Sequence, residues 1–233
     1  MPFRTVLFDC DSTLSSIEGI DELAREHRSA IAELTDAAMR GEVTLESIYG
    51  KRLALIRPSA DEMARIGALY VEHLVPHARE TVAALRSAGT DVRIISGGLR
   101  PAVLVLARAL GVPEQSVFAV DVRFDARGAY AGYDTASPLA RQGGKPTLIA
   151  AWPNVARPVM MVGDGSTDLE TKEVVDTFVA FAGVVERPTV VAGADHVIRV
   201  NSMLPVLALA LGDVGSIDGS IQALIERGVA LLR

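Results

Sequence analysis

Short runs of apolar residues punctuate the chain at Thr5–Phe8, Val92–Ile95, Val117–Val120, Pro158–Val162, Phe178–Phe181 and His196–Val200. Within each run the apolar character is continuous rather than alternating, the pattern of strands covered on both faces of a parallel sheet. Between the runs lie stretches of helical periodicity over 78–88, 100–110, 145–152, 167–175 and 201–211, with Gly89 and Gly111 where helix-ending glycines belong. This alternation predicts an α/β fold built on a doubly wound, Rossmann-like parallel sheet.

Two stretches break the rhythm. From about Ser15 to Leu74 no strand pattern occurs, only helical spacing such as Ile20, Leu23 and Ala24, or Leu53 and Ile56. The expectation is an all-helical cap, residues 15–75, inserted into a core made of 1–14 and 76–233 and lying over the acidic turn after the first strand. Further on, Val122, Phe124, Tyr130 and Tyr133 flank the turn Asp125-Ala126-Arg127-Gly128, which reads as a β-hairpin. The last segment, 213–233, follows a glycine-broken linker and is weakly amphipathic. It is open between a packed terminal helix and a contact in a homodimer.

Composition narrows the class. A chain of 233 residues fits one large domain, or one domain with an insertion, at about 150 residues per domain. Hydrophobic residues at 49% and charged residues at 22% are ordinary for a globular protein and exclude a disordered one. The net charge of −6 argues against a nucleic-acid partner, which calls for a basic face. One cysteine, Cys10, excludes an intrachain disulfide and fits a reducing compartment. The opening Met-Pro-Phe-Arg-Thr does not read as a signal peptide, and no run of about 18 uncharged apolar residues offers a membrane span. A cytoplasmic protein without membrane attachment is expected.

Ligands of an open parallel sheet bind beyond the carboxyl ends of its strands. After the first run come Asp9-Cys10-Asp11-Ser12-Thr13; after the second, Ser96-Gly97-Gly98; after the fourth, Gly163-Asp164-Gly165-Ser166-Thr167-Asp168. Lys145 opens a helix behind Gly143-Gly144. Clustered carboxylates repel, so Asp9, Asp11, Asp164 and Asp168 call for a compensating cation. A hard divalent ion suits oxygen ligands, and Mg²⁺ binds one or two carboxylates together with a substrate phosphate. Lys145, Ser96 and the amides of Gly97 and Gly98 would hold phosphate oxygens. The set describes phosphoryl transfer to an aspartate nucleophile.

These motifs resemble those of the haloacid dehalogenase-like phosphatases. Within that superfamily, I-E-G-I-D-E-L-A at 17–24, A-M-R-G at 38–41, K-R-L-A-L-I-R-P-S at 51–59 and A-G-Y-D at 131–134 are similar to the phosphoserine phosphatases, over about residues 5–211. The resemblance implies a Mg²⁺-dependent hydrolase of O-phosphoserine, a step of serine synthesis, working through an aspartyl-phosphate. Asp9 would be nucleophile and metal ligand. Asp11 would protonate the leaving oxygen, activate water, and lend its backbone carbonyl to the metal. Asp164 would complete the protein ligands, with Asp168 positioning Lys145 and a metal-bound water. Ser96, Gly97, Gly98 and Lys145 would hold the phosphate, with Thr13 and Thr167 nearby. Glu18 would read the substrate ammonium and Arg52 its carboxylate, while Met39, Gly41 and Arg187 would line the site. Two departures bear on the substrate: Leu45 stands where the family often has an aromatic, and Ala182 interrupts a glycine pair.

Other readings of the same residues stay open at this point. Ser15-Ser16-Ile17-Glu18 and Thr167 with Glu170 also fit capping boxes, and Asp168 would be favoured in any first helical turn. Arg52 could be a solvated helix charge. Cys10, between the two aspartates, should be a buried, inert thiol, and the four histidines lack metal-ligand spacing. A phosphatase or phosphotransferase for another small phosphomonoester, or a receiver-like signalling module, would use a similar set of aspartates.

Overall fold

The computed structural model describes residues 1–27, 45–212 and 218–232. A six-stranded parallel sheet runs in the order β3-β2-β1-β6-β7-β8, with β1 at Thr5–Phe8, β2 at Asp91–Leu99, β3 at Val117–Val120, β6 at Val159–Gly163, β7 at Thr177–Phe181 and β8 at His196–Ile198. Renumbered within the sheet this is the 3-2-1-4-5-6 order of the dinucleotide-binding α/β folds, whose crevice opens where the order reverses. Here that point lies between β1 and β6, which pair from Thr5–Val159 to Phe8–Val162. Every residue of β1 and β6 is buried, as their unbroken apolar runs require.

β2 departs from expectation. Ser96-Gly97-Gly98 is not a simple turn: the strand continues through it to Leu99, with its register against β3 shifting between Ile95 and Leu99. The helix expected over 167–175 is divided into a short α-helix, Ser166–Leu169, and a 3₁₀ turn, Glu170–Glu173. The hairpin forms as read, with β4 at Val122–Phe124 and β5 at Tyr130–Tyr133 as a separate antiparallel ribbon. Asp125 closes its turn by accepting from the amides of Arg127 at 2.8 Å and Ala129 at 2.9 Å.

The stretch between β1 and the helix Ala78–Ser87 contains no strand among its described residues. It carries the helices Gly19–Leu23, Leu45–Ile56 and Ala60–Glu72. The chain leaves and rejoins the sheet side by side: Ser15 bridges Leu74, the Ser16 amide donates to His73 at 2.9 Å, and Val75 donates to Leu14 at 3.0 Å. Ala60–Glu72 begins with a capping box between Ser59 and Glu62. Its buried Met63, Ile66 and Tyr70 join the same apolar cluster as β1 and β2. The hairpin packs on this insertion through Tyr49 and Tyr133, whose rings lie 5.6 Å apart. The terminal helix, Gly219–Leu231, packs on Leu204–Leu211, with Gly228 against the Leu204 carbonyl. No helix among the described residues is long and apolar enough to cross a membrane.

Gly67 marks a close approach between the insertion and the helix Arg100–Ala109, because a Cβ placed there would lie 2.6 Å from Val105. Gly67→Leu should therefore force these helices apart and destabilise by about 1–3 kcal/mol. In a thermal melt that is about 2–4 °C per kcal/mol; an unchanged Tm would show that the contact is not tight in solution.

Candidate active site

The loop after β1 does not enter a helix. Asp11 is extended, at φ −65° and ψ 139°, and Ser12 turns left-handed at φ 50°. That reversal aims the Asp9 and Asp11 carboxylates at a cavity of about 440 Å³, which Glu18, Arg52, Ser96, Gly97, Gly98, Lys145, Asp164, Thr167 and Arg187 also line. Three strand ends, β1, β2 and β6, thus deliver their polar residues to one crevice, with Glu18 and Arg52 reaching it from the insertion.

Lys145 organises the acidic side. Its buried Nζ lies 2.9 Å from Asp9 Oδ1 and 2.5 Å from Asp168 Oδ1. Burial alone would lower the lysine's pKa, but Asp168 and Asp9 hold it above its ordinary value. Asp168, fully buried, also accepts from the Gly165 amide at 2.9 Å through Oδ2. Gly163, the last residue of β6, leaves room for that carboxyl: a Cβ there would sit 2.2 Å from Asp168 Cγ. Asp164 Oδ1 accepts from Thr13 at 3.3 Å, and Oδ2 accepts from Arg187 Nε at 3.0 Å. Carboxylate oxygens of Asp9, Asp164 and Asp168 all lie within 4.8 Å of one another. A buried cluster of hard oxygens with this excess of negative charge suits a divalent cation.

Asp11 sits apart from that cluster. Its Oδ1 accepts from the Gly19 amide at 2.6 Å and from Tyr70 Oη at 2.7 Å, while Oδ2 faces Ser96 Oγ at 3.5 Å. Burial above all, then the charges of Asp9 and Glu18, push its pKa up to about 7. A carboxyl tuned to that range can give and take a proton near neutrality. Burial and Asp9 likewise raise Asp164 to about 6. Burial and Asp9 push Asp168 upward too, against the pull of Lys145.

Several expectations are refined. Glu18 occupies the N-cap position of Gly19–Leu23 but makes no capping bond; Asp11 holds the Gly19 amide instead. The Glu18 carboxylate accepts from Ser12 Oγ at 2.7 Å and lies 3.5 Å from Arg187. The first turn after β6 is capped by the Asp168 carboxylate accepting from the Gly165 amide, not by Thr167 with Glu170; Glu170 accepts from the Gly143 amide, 2.9 Å away, before the Lys145 helix. Thr13 is fully buried and bonded to Asp164, whereas Thr167 lines the cavity. Gly98 lines the cavity, but its amide donates to Ser96 Oγ at 2.9 Å. Cys10 is buried, which raises its thiol pKa and keeps it inert. Met39 and Gly41 lie outside the described residues. Two tyrosines escaped the sequence reading: Tyr70 on Asp11, and Tyr49, whose hydroxyl donates to the Gly97 carbonyl at 2.9 Å. Tyr49 stands four residues beyond Leu45, so the insertion brings an aromatic to the Ser96-Gly97-Gly98 segment one helical turn later than the motif leads one to expect.

Comparison with known proteins gives a consistent picture. The profile of the haloacid dehalogenase-like hydrolases matches residues 3–173. The chain is 40% identical over 194 residues to the phosphoserine phosphatase of Bos taurus, covering 82% of this chain and 86% of that one. It is 37% identical over 201 residues to the chloroplastic phosphoserine phosphatase of Arabidopsis thaliana, covering 84% of this chain and 68% of the relative. In fold it is similar to a phosphoserine phosphohydrolase-like protein from Francisella tularensis, with a TM-score of 0.69 at 24% identity, over 84% of this chain and 95% of that one.

The raised carboxyls set a sign for stability. Asp11 and Asp164, ordinarily near 3.8, titrate at about 7 and about 6 when folded, so the native protein keeps protons that the unfolded chain releases. Stability contributed by these groups therefore falls as pH rises from about 4 to about 7. After EDTA treatment, Tm should drop between about pH 5 and about pH 7, and millimolar Mg²⁺ should raise it more at the higher pH, because the cation competes with protons for the same oxygens. A Tm that climbs across this range and ignores Mg²⁺ would contradict the charge cluster.

Proposed function

The chain belongs to the haloacid dehalogenase-like hydrolases, in their phosphoserine phosphatase branch, and from that membership we propose that it hydrolyses O-phosphoserine to serine and phosphate with Mg²⁺ as its cofactor. One observation carries the substrate: Glu18 and Arg52, of opposite charge, line the same cavity as Asp9 and Asp11. An amino-acid phosphate supplies the ammonium and carboxylate that such a pair would read. In keeping with this, residues 15–75 act as a cap over a core of 1–14 and 76–233, and the single buried cysteine suits a cytoplasmic setting.

The chemistry follows from the two aspartates. An Asp9 carboxylate oxygen attacks phosphorus, and the bond from phosphorus to the serine oxygen breaks. Asp11 gives its proton to that departing oxygen. Asp11 then takes a proton from a water molecule, whose oxygen attacks the aspartyl-phosphate. Cleavage of the phosphorus–Asp9 bond releases phosphate and restores both carboxyls. Lys145 and Ser96, with the Gly97 amide, hold phosphate oxygens as charge shifts onto them. Mg²⁺, held by Asp9 and Asp164 with the Asp11 carbonyl, would neutralise phosphate charge and relieve the repulsion within the acidic cluster.

Asp9→Asn should abolish turnover, since an amide cannot attack, while the fold is retained because Asp168 still pairs with Lys145. Turnover by a preparation free of deamidated protein would remove Asp9 from the nucleophile's role. Glu18→Gln and Arg52→Ala should each lower kcat/KM for phosphoserine by about 10–150-fold, the worth of one charge-assisted contact. Hydrolysis of p-nitrophenyl phosphate, which has neither group, should change little. Equal losses on both substrates would mean that the pair shapes the cap and that another phosphomonoester is the substrate.

A further inference from the structure

Tyr70 has no role in the mechanism above, yet its side chain is among the largest of the fully buried ones and its hydroxyl ends on Asp11. We infer that Tyr70 is a positioning residue for Asp11: together with the Gly19 amide it pins Oδ1, so that Oδ2 is the oxygen that gives and takes the proton. The inference rests on the phosphatase reading and deepens it. Two donors, at 2.6 Å and 2.7 Å, occupy Oδ1 and use its accepting directions. The other oxygen turns to the open side, where it faces Ser96 Oγ at 3.5 Å and the bare Cα of Gly98, whose Cβ would lie 3.0 Å away. A carboxyl free to rotate would present either oxygen; this one presents a single oxygen to the phosphate loop.

The support behind the hydroxyl is stiff. Ala60–Glu72 is fixed at its start by the Ser59–Glu62 capping box and packed along Arg100–Ala109 through Gly67. Gly19 is shaped to the same contact, since a Cβ there would fall 2.0 Å from Tyr70 Oη. The insertion therefore sets the geometry of an acid–base group that the sheet itself carries, and it does so through two residues, Gly19 and Tyr70, that touch neither phosphate nor metal ligand side chains.

The test is a double-mutant cycle on one step, hydrolysis of the phosphoenzyme, formed on the full chain with Mg²⁺ and p-nitrophenyl phosphate and followed by rapid quench. Tyr70→Phe removes only the hydroxyl and should slow that step by about tenfold, with the phosphoenzyme accumulating, so that kcat and KM fall together and kcat/KM stays nearly unchanged. In an Asp11→Asn background the same substitution should alter the step by less than about twofold, because its target is already gone. Gly19→Ala, whose methyl would displace the hydroxyl, is the second probe and should slow the same step and show the same loss of effect beside Asp11→Asn. Equal slowing in both backgrounds, a change in KM alone, or no slowing by Tyr70→Phe would overturn the inference. Failure of the native protein to turn over phosphoserine would instead sink the substrate reading, while the cycle on p-nitrophenyl phosphate would still report on Tyr70.

Discussion

A buried ammonium between two carboxylates holds this site in place. Lys145 is removed from water, a state that is costly unless the charge is matched at close range, and Asp9 and Asp168 match it from the ends of two different strands' loops. The surrounding details serve that contact. Gly163 has no side chain because Asp168 occupies the space beside it, the Gly165 amide holds the second Asp168 oxygen, and Glu170 tethers the turn that launches the lysine helix. Breaking a buried pair of this kind typically costs about 3–5 kcal/mol, since the orphaned partner stays buried. Loss of Asp168 would thus reach Asp9 through the lysine without touching it directly.

The same ammonium also distinguishes two aspartates only two residues apart. Lys145 stands on Asp9, whereas Asp11 is met by neutral donors, the Gly19 amide and the Tyr70 hydroxyl. Environment, rather than residue type, therefore sets the two carboxyls apart, one beside a buried cation and the other among neutral donors. Arg187 adds a link across the cavity, reaching Asp164 on the sheet side and Glu18 on the insertion side.

Much of this was legible in the chain. β1 and β3 have the bounds of their apolar runs because continuous burial leaves no ambiguity of face. β2 runs further than its run of Val and Ile because strand pairing is a backbone matter, and Ser96 and Gly97 can continue it without apolar side chains. The helix after β6 tightens into a 3₁₀ turn at Glu170, which residue spacing does not show. The motif by itself puts Thr13 near a phosphate site, but the left-handed Ser12 turns the chain so that Thr13 meets Asp164. Tyr49 and Tyr70 read as ordinary helical aromatics, because nothing local marks a hydroxyl that will meet a partner 48 or 59 residues away.

The paired strands of chain at Ser15 and Leu74 have a consequence for how such molecules diversify. Because the insertion departs and returns at one point, the sheet experiences it as a closed loop whose ends are already joined. Lengthening a loop whose ends are held together costs only the logarithm of its length, about 0.6 kcal/mol per doubling. The stem is thus a graft point. Different insertions can be joined at that stem, each bringing its own residues to the same two aspartates, while the strand ends that carry them stay unchanged.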